Sequence, residues 1–244
     1  MLDKKFGEAG NNADIEEFLS GREATVLAFT DGYSVKCMPA SQDHKKAFDG
    51  DIGLNTGGMG AFAPTPYYTK AIEAETLNNI ILPTIKGLRE ENRLFSGVIY
   101  FGLMMTAKGV KVIEYNARFG DPETQVILPM LESDFLDIIL AIKEEKLADY
   151  DIKWSKKSGL CVVVASGGYP EKVIKGYEIN IEPISDKIKL FHSGTAIRDG
   201  RLVTNGGRVI CVTTLADSIN EARDTVYKEI EKINFTNKRY RKDI

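Results

Sequence analysis

In the run Val110–Gln125, VKVIEYNARFGDPETQ, a carboxylate, a carboxamide and a guanidinium recur at alternate positions, Glu114, Asn116 and Arg118. If Val110–Arg118 is a strand, side chains two apart share a face, and each such step advances roughly 6.6 Å. Glu114 and Asn116 can then turn oxygen atoms toward one hard cation, and oxygen ligands suit Mg²⁺. Arg118, one step further, adds a planar cation fitted to phosphate or carboxylate. Gly120 permits a tight turn after the strand, Asp121 suits an N-cap, and Pro122 suits the first helical position. The spacing therefore predicts a helix whose free N–H groups point into the same space. Asp121 and Glu123 would either cap and charge-balance that helix or act on a ligand, and the residues alone leave both open.

Several elements must carry this face. Ser96–Thr106 is a strongly apolar strand, and Ala107-Lys108-Gly109 turns it into Val110–Arg118, a hairpin expected to set the polar strand in mid-sheet. Upstream, Ile15–Ser20 reads as a short strand and Glu23–Thr30 as a second. Asp31-Gly32 is a hairpin turn, with Tyr33–Met38 returning. Pro39–Pro66 has neither period and is punctuated by Gly50, Gly53, Gly57, Gly58 and Gly60. A loop of that length is functional or disordered, and its varied composition favours function. Tyr67–Arg93 has helical spacing, kinked or split at Pro83. Helix is expected over Pro122–Lys146, broken near Ser133, with Phe135, Leu136, Ile139, Leu140 and Ile142 turned inward. Ala148–Lys157 reads as a linker, dividing the chain into 1–150 and 151–244. Beyond it come strands at Ser158–Ser166, Lys187–Phe191 and Arg208–Thr214, with hairpin signals at Asp199-Gly200 and Asn205-Gly206. An amphipathic helix capped by Ser218 follows over Ser218–Ile230. Gly207-Arg208 is either a ligand contact or a turn glycine beside a surface arginine. Met1–Gly10 reads as the tail of an element begun further upstream.

Composition bounds the function classes. The chain has 244 residues, 43% apolar and 27% charged, with a net charge of −3. That is an ordinary soluble composition with no basic footprint for nucleic acid or membrane, and no apolar run has the length of a membrane span. Cys37, Cys161 and Cys211 sit apart in apolar runs, which predicts buried reduced thiols and a cytoplasmic protein.

EYNARFGDPETQ closely resembles the signature of the phosphoribosylamine–glycine ligase (glycinamide ribonucleotide synthetase) family of ATP-grasp enzymes. SQDHK, NTGGMGA, GGYP, FHSGT, NGGRV and the final YRKDI match the same family. The resemblance implies an α+β fold. It would be the C-terminal part of an ATP-grasp fold (an antiparallel sheet with helices) followed by a small, mostly β C-terminal domain. It implies ATP and Mg²⁺ or Mn²⁺ as cofactors, with glycine and 5-phosphoribosylamine as substrates. Glu114 and Asn116 would hold the metal, and Arg118, Asp121 and Glu123 would be catalytic. Glu16, Glu17, Phe18 and Leu19 would form the hinge that borders adenine, with Glu23 on the ribose hydroxyls. Asp43, His44, Lys45, Asn55, Gly57, Gly58 and Met59 would enclose the small substrates.

The resemblance covers only the back part of that family. An N-terminal nucleotide-binding-like domain and the first ATP-grasp subdomain are not represented, and no G-x-x-x-x-G-K-[ST] is present. Tyr100–Leu103 also lacks the acid that many ATP-grasp enzymes place one strand earlier. Two other expectations stand beside the ligase: a fragment without activity on its own, and a different ATP-grasp ligase or carboxylase resembling biotin carboxylase.

Overall fold

Ala24–Phe29 is a run without a charged residue, and a strand apolar on both faces has to be covered on both. In the computed structural model, which describes residues 7–11 and 15–244, this run forms β1 (Arg22–Thr30) and is buried on both faces. Residues 1–6, most of the expected tail Met1–Gly10, lie outside the described residues.

The chain continues through β2 (Val35–Cys37), β3 (Gln42–Asp43), β4 (Lys46–Phe48), β5 (Ile52–Asn55) and β6 (Gly60–Ala63). After α1 (Lys70–Thr76) and α2 (Leu82–Glu90) come β7 (Gly97–Thr106) and β8 (Gly109–Asn116). Two helices follow, α3 (Glu123–Ile127) and α4 (Phe135–Lys143). The remainder is β9 (Ser158–Ala165), β10 (Asn180–Ile181), β11 (Ile188–His192), β12 (Thr195–Arg198), β13 (Arg201–Thr204), β14 (Arg208–Ala216), α5 (Ile219–Ile230) and β15 (Ile233–Asn234).

A four-stranded sheet runs β2-β1-β7-β8 and a five-stranded sheet runs β11-β14-β9-β6-β3; all their pairings are antiparallel. Period two assigns the cores. Leu27, Phe29 and Tyr100 share a core with Val126, Ile127, Ile138, Cys161, Val163 and Cys211, between the two sheets. Val26, Ala28, Ile99 and Phe101 pack with Ile80, Ile81 and Ile85 of the helical run that includes α2. Leu160, Val162, Ile210 and Val212 pack with Ala222, Val226 and Ile230 of α5. The Ser218 side chain caps α5 by accepting from the Glu221 N–H. Helix, sheet, sheet and helix thus stack around three cores, and the expected α+β class with antiparallel sheets is what the chain adopts.

Several expectations change. Ile15–Ser20 is not a strand: no ladder partner meets it among the described residues, and Ile15 and Phe18 are exposed. Pro39–Pro66 is not structureless but carries β3 to β6. Gly60 makes this possible, since a Cβ there would stand 2.5 Å from the Cys161 carbonyl oxygen across the β6–β9 pair. Because β3 and β6 join β9 in one sheet, the linker at Ala148–Lys157 does not separate two sheets. β8 lies at a sheet edge rather than in mid-sheet, and it ends at Asn116, short of Arg118. The helical run between α1 and α2 is not split; it widens into a π-type turn at Leu77–Ile81, just before Pro83, which has no N–H to donate.

The helix after Pro122 also differs from the expected one. Asp121 does not cap it, because its carboxylate accepts from Gln125 Nε2 and from Arg208, and α3 spans only Glu123–Ile127. The break near Ser133 is present, with Asp134 capping α4. On α4, however, Ile138 and Ile142 face the core, while Phe135, Leu136, Ile139 and Leu140 are exposed. Asn205-Gly206 joins strands of different sheets instead of forming a hairpin, because Gly206 packs against Gly194. Asp199-Gly200 is the expected tight turn, with φ of 50° and 75° between β12 and β13. Among the described residues no helix is long and apolar enough to cross a membrane.

Candidate active site

Strand register builds the floor of the site. Glu23, Thr25 and Leu27 of β1 lie opposite Met104, Gly102 and Tyr100 of β7. Gly102 and Tyr100 in turn lie opposite Glu114 and Asn116 of β8. By the two-residue period these positions share one side of the sheet. A bulge at Ile113 shifts the register so that Lys111 stands opposite Met104. Lys111 therefore joins the same side, although strict alternation from Glu114 would put it on the other.

Gly102 is the crossing point. A Cβ there would stand 2.8 Å from Glu114 Cγ and 3.3 Å from Tyr100 Cε1, so its missing side chain gives Glu114 room to cross β7. Glu114 Oε1 lies 3.4 Å from Lys45 Nζ, and Glu23 Oε2 lies 3.5 Å from the same ammonium. Burial alone would lower the Lys45 pKa; Glu23, Glu114 and Asp43 outweigh it and raise it, so the group stays cationic.

Two acids lie behind this cluster, Glu123 buried and Asp43 half-buried with its Oδ1 shielded from solvent. Glu123 is 2% exposed and accepts from Thr25 Oγ1 at 3.2 Å, and Thr25 Oγ1 is 3.0 Å from Tyr100 Oη. Burial, followed by the Glu123 carboxylate, pushes Asp43 well above the usual carboxylate range, against the pull of Lys45. Asp43 Oδ1 has no hydrogen-bond partner among the described residues. The same two causes raise the Tyr100 phenol, which stays protonated.

Two clefts flank Glu23. One, of about 370 Å³, is lined by Glu16, Glu17, Phe18, Leu19, Glu23, Met104 and Lys111 with their neighbours. The other, of about 420 Å³, is lined by Glu23, Asp43, His44, Lys45 and Asn55, with Asp51 and Tyr67. Most of the expected hinge and substrate residues are thus brought together around one strand end.

Some are not. Met59 is fully buried in the α5 core, so its side chain faces no cleft. Arg118 lies beyond β8 and its Nη1 donates to the Phe119 carbonyl at 2.8 Å, with no ion pair or hydrogen bond to Glu114. His44 does line the second cleft but is buried, with Nδ1 unpartnered among the described residues, and burial, reinforced by Arg241, lowers its pKa and keeps it neutral. Gly57 is gripped from the far half of the chain: its N–H donates to Tyr169 Oη and its carbonyl accepts from Arg208.

For a metal, the donors offered are one carboxylate (Glu114) and one carboxamide (Asn116). Among the described residues no three His, Cys, Asp or Glu side chains gather as a ligand cluster. Register puts the two positions on one side of the sheet, although Asn116 also lines a separate cleft with Thr84, Leu88 and Tyr115. A carboxylate and a carboxamide are donor types that fit Mg²⁺ or Mn²⁺, provided that substrate phosphates and water complete the shell.

The sequence offered Arg208 only as a ligand contact or a surface arginine and assigned no role to Tyr169, Arg241 or Lys111. Arg241 is 1% exposed, with ion pairs to Asp51 and Asp243 at 2.7 Å. A buried arginine leaves no periodic signal, and what buries this one is distant: Asp51 and the Lys46 carbonyl lie at the other end of the chain. Lys111 was hidden by the bulge.

Comparison with known proteins places this geometry. The family model described as "Phosphoribosylglycinamide synthetase, ATP-grasp (A) domain" matches residues 1–124, and that for the C domain of the same synthetase matches residues 159–244. A phosphoribosylamine–glycine ligase of Caldanaerobacter subterraneus is 46% identical over 245 residues, covering 100% of this chain and 58% of the relative. A bifunctional purine biosynthetic protein of Schizosaccharomyces pombe is 48% identical over 245 residues, with 100% of this chain and 31% of the relative covered. The chain thus spans little more than half the length of the single-function relative. The crystal structure of the Thermotoga maritima phosphoribosylamine–glycine ligase superposes with a TM-score of 0.84 at 34% identity, over 94% of this chain and 57% of that one. A biotin carboxylase domain from Hydrogenobacter thermophilus matches at a TM-score of 0.63 and 14% identity, a likeness of fold alone.

Proposed function

The chain belongs to the phosphoribosylglycinamide synthetase family, and from that premise we propose that it is the C-terminal part of a phosphoribosylamine–glycine ligase. The whole enzyme would join glycine to 5-phosphoribosylamine at the expense of ATP, giving glycinamide ribonucleotide, ADP and phosphate. A glycine carboxylate oxygen attacks the γ-phosphorus and ADP leaves. The sugar amine then attacks the acyl carbon and inorganic phosphate departs. Such chemistry asks for in-line positioning and neutralised charge.

The observation that carries this reading is the meeting of Glu23, Lys45 and Glu114 on one sheet face, beside the cleft walled by Glu16–Leu19. Glu16, Glu17, Phe18 and Leu19 border the base, and Glu23 accepts from the ribose. Glu114 and Asn116 are the side chains that would hold Mg²⁺ or Mn²⁺, which supplies charge neutralisation at the phosphates when bound. Lys45 stays protonated between the carboxylates and offers the triphosphate a cation. Arg118, close after the strand, is exposed and free to turn onto a transferring phosphoryl group or the acyl phosphate. Asp43 and Asn55 line the small-substrate cleft with His44. Glu123, buried behind the cleft on Thr25, favours the protonated form of Asp43, and Asp121 shapes the turn. Cytoplasmic location accords with three cysteines outside any disulfide.

A second reading concerns the chain by itself. The hinge cleft has one open wall, with Phe18 94% exposed, which favours weak nucleotide binding until the rest of the enzyme is present. Calorimetry with MgATP tests this: millimolar affinity for the isolated chain fits, and micromolar affinity refutes it. For the ligase itself, the chain is joined to the upstream part of the family and assayed with glycine or bicarbonate. Turnover with glycine, lost by orders of magnitude in Glu114→Ala, is expected. Turnover with bicarbonate alone, or a near-full rate in Glu114→Ala, would reject the reading.

A further inference from the structure

Arg208 opens β14, in the half of the chain that follows the linker, yet its side chain ends among residues of two earlier segments. Nη1 donates to the Gly57 carbonyl at 2.6 Å, to the Asp121 carbonyl at 2.8 Å and to Asp121 Oδ1 at 3.2 Å. Nη2 donates to Asp121 Oδ2 at 2.8 Å. From the same half, Tyr169 Oη accepts the Gly57 N–H at 2.9 Å. Gly57 thus has both its N–H and its C=O held from the C-terminal half. A Cβ on it would stand 3.0 Å from Arg208 Cζ, so a side chain there would push the guanidinium away.

What these two residues hold is a backbone segment directly behind the small-substrate cleft, against Asp43 of its lining. Gly58 follows Gly57 with φ of 109°, and a Cβ there would stand 2.8 Å from Asp43 Oδ1, the carboxylate oxygen without a partner among the described residues. Asp121 precedes the turn that delivers buried Glu123 to Thr25 and, through it, to Tyr100. The Arg208 grip therefore sets the spacing between the Gly57–Gly58 backbone, Asp43 and the Asp121–Glu123 turn. Four donor contacts from one planar fork are what a guanidinium can make, and a lysine ammonium on its flexible stem cannot reproduce them.

We propose that Arg208, with Tyr169, is a positioning residue through which the C-terminal half shapes the small-substrate cleft, leaving the nucleotide hinge alone. The proposal rests on the ligase reading for the identity of the small substrates, glycine and a phosphorylated sugar amine, but the geometric part stands without it. Hydrogen exchange on this chain tests that part. In Arg208→Lys and Arg208→Gln, exchange should quicken about ten-fold or more, as loss of charge-assisted hydrogen bonds permits, in peptides covering residues 55–60 and 119–124. Peptides covering 160–164 and 210–214 should keep their protection, and Tyr169→Phe should affect residues 55–60 alone. Uniformly faster exchange, or none, would overturn the proposal and mark Arg208 as general scaffolding.

In the complete enzyme, Arg208→Lys should raise the KM for glycine or the sugar amine about ten-fold while the KM for ATP holds, the same loss read as affinity. An equal rise in all three, or no rise, also overturns it. If the exchange pattern appears while the wild type does not turn over glycine, the ligase reading fails and the positioning role remains.

Discussion

Gly102→Ala is the substitution whose outcome depends most directly on the Glu114 side chain crossing β7. The new Cβ would arrive 2.8 Å from Glu114 Cγ and 3.3 Å from Tyr100 Cε1. Glu114 Cγ is held near its own backbone and cannot yield as a flexible tip does, so the carboxylate must swing off Lys45. Overpacking of this kind costs about 1–3 kcal/mol. The Glu114–Lys45 pair adds little, because at 3.4 Å and half exposed on the Glu114 side it belongs with surface pairs worth about 0–1 kcal/mol. Glu114→Ala alone should therefore be nearly neutral, since it also relieves repulsion from Glu23 across the shared ammonium. In the double variant the clash has no partner, and the loss should shrink to what Tyr100 imposes. Urea denaturation of the four proteins gives the coupling directly, and about 1 kcal/mol or more of rescue is expected. Additive losses, or a stable Gly102→Ala single variant, would show that Glu114 does not need the space above Gly102. The floor described for the site would then be wrong.

Two further outcomes follow from other parts of the structure. Asp243, whose carboxylate accepts from Arg241, is held down to about 2. A depressed carboxylate contributes stability above its ordinary pKa and loses it as pH falls through the folded value. The wild type should therefore weaken between about pH 4 and pH 2 more steeply than Asp243→Asn, and parallel denaturation curves in that window would refute the link. On α4, Leu136 (63% exposed) and Leu140 (44%) present an apolar face, and the chain spans 58% of a ligase relative. If the remainder of the enzyme covers that face, Leu136→Glu with Leu140→Glu leaves the Tm of this chain nearly unchanged but abolishes its association with the separately expressed upstream part. Persistent association in sedimentation would exclude this face as the contact.

Local chemistry was legible where neighbours in sequence decide it. Ser218 before an amphipathic run predicts α5, Asp199-Gly200 predicts a tight turn, and alternation places Glu114 and Asn116 together. What stayed hidden depends on distant partners. The Ile113 bulge flips Lys111 to the other face without any mark in composition. Ile15–Ser20 has the residues of a strand but no ladder to join among the described residues. The apolar residues of α4 look like core, yet four of them are exposed on this chain. Arg208 and Arg241 look like surface cations, and each is held by acceptors far along the chain.

The same dependence on distant partners explains why the glycine-rich segment is ordered. Residues 39–66 show no period of their own, but Gly60–Ala63 pairs with Val162–Gly159, about a hundred residues later, and Gln42-Asp43 pairs with Phe62-Ala61. Asp43 therefore reaches the site as part of the second sheet, while Glu23 and Glu114 reach it as part of the first. Tyr169 and Arg208 hold Gly57 from the second side, and Arg241 holds Lys46 and Asp51 from the same side. The cleft beside Glu23 is held by β9, by β14 and by the last residues of the chain. The part of the chain that reads as a separate C-terminal domain is thus a structural condition for the part that reads as the active site.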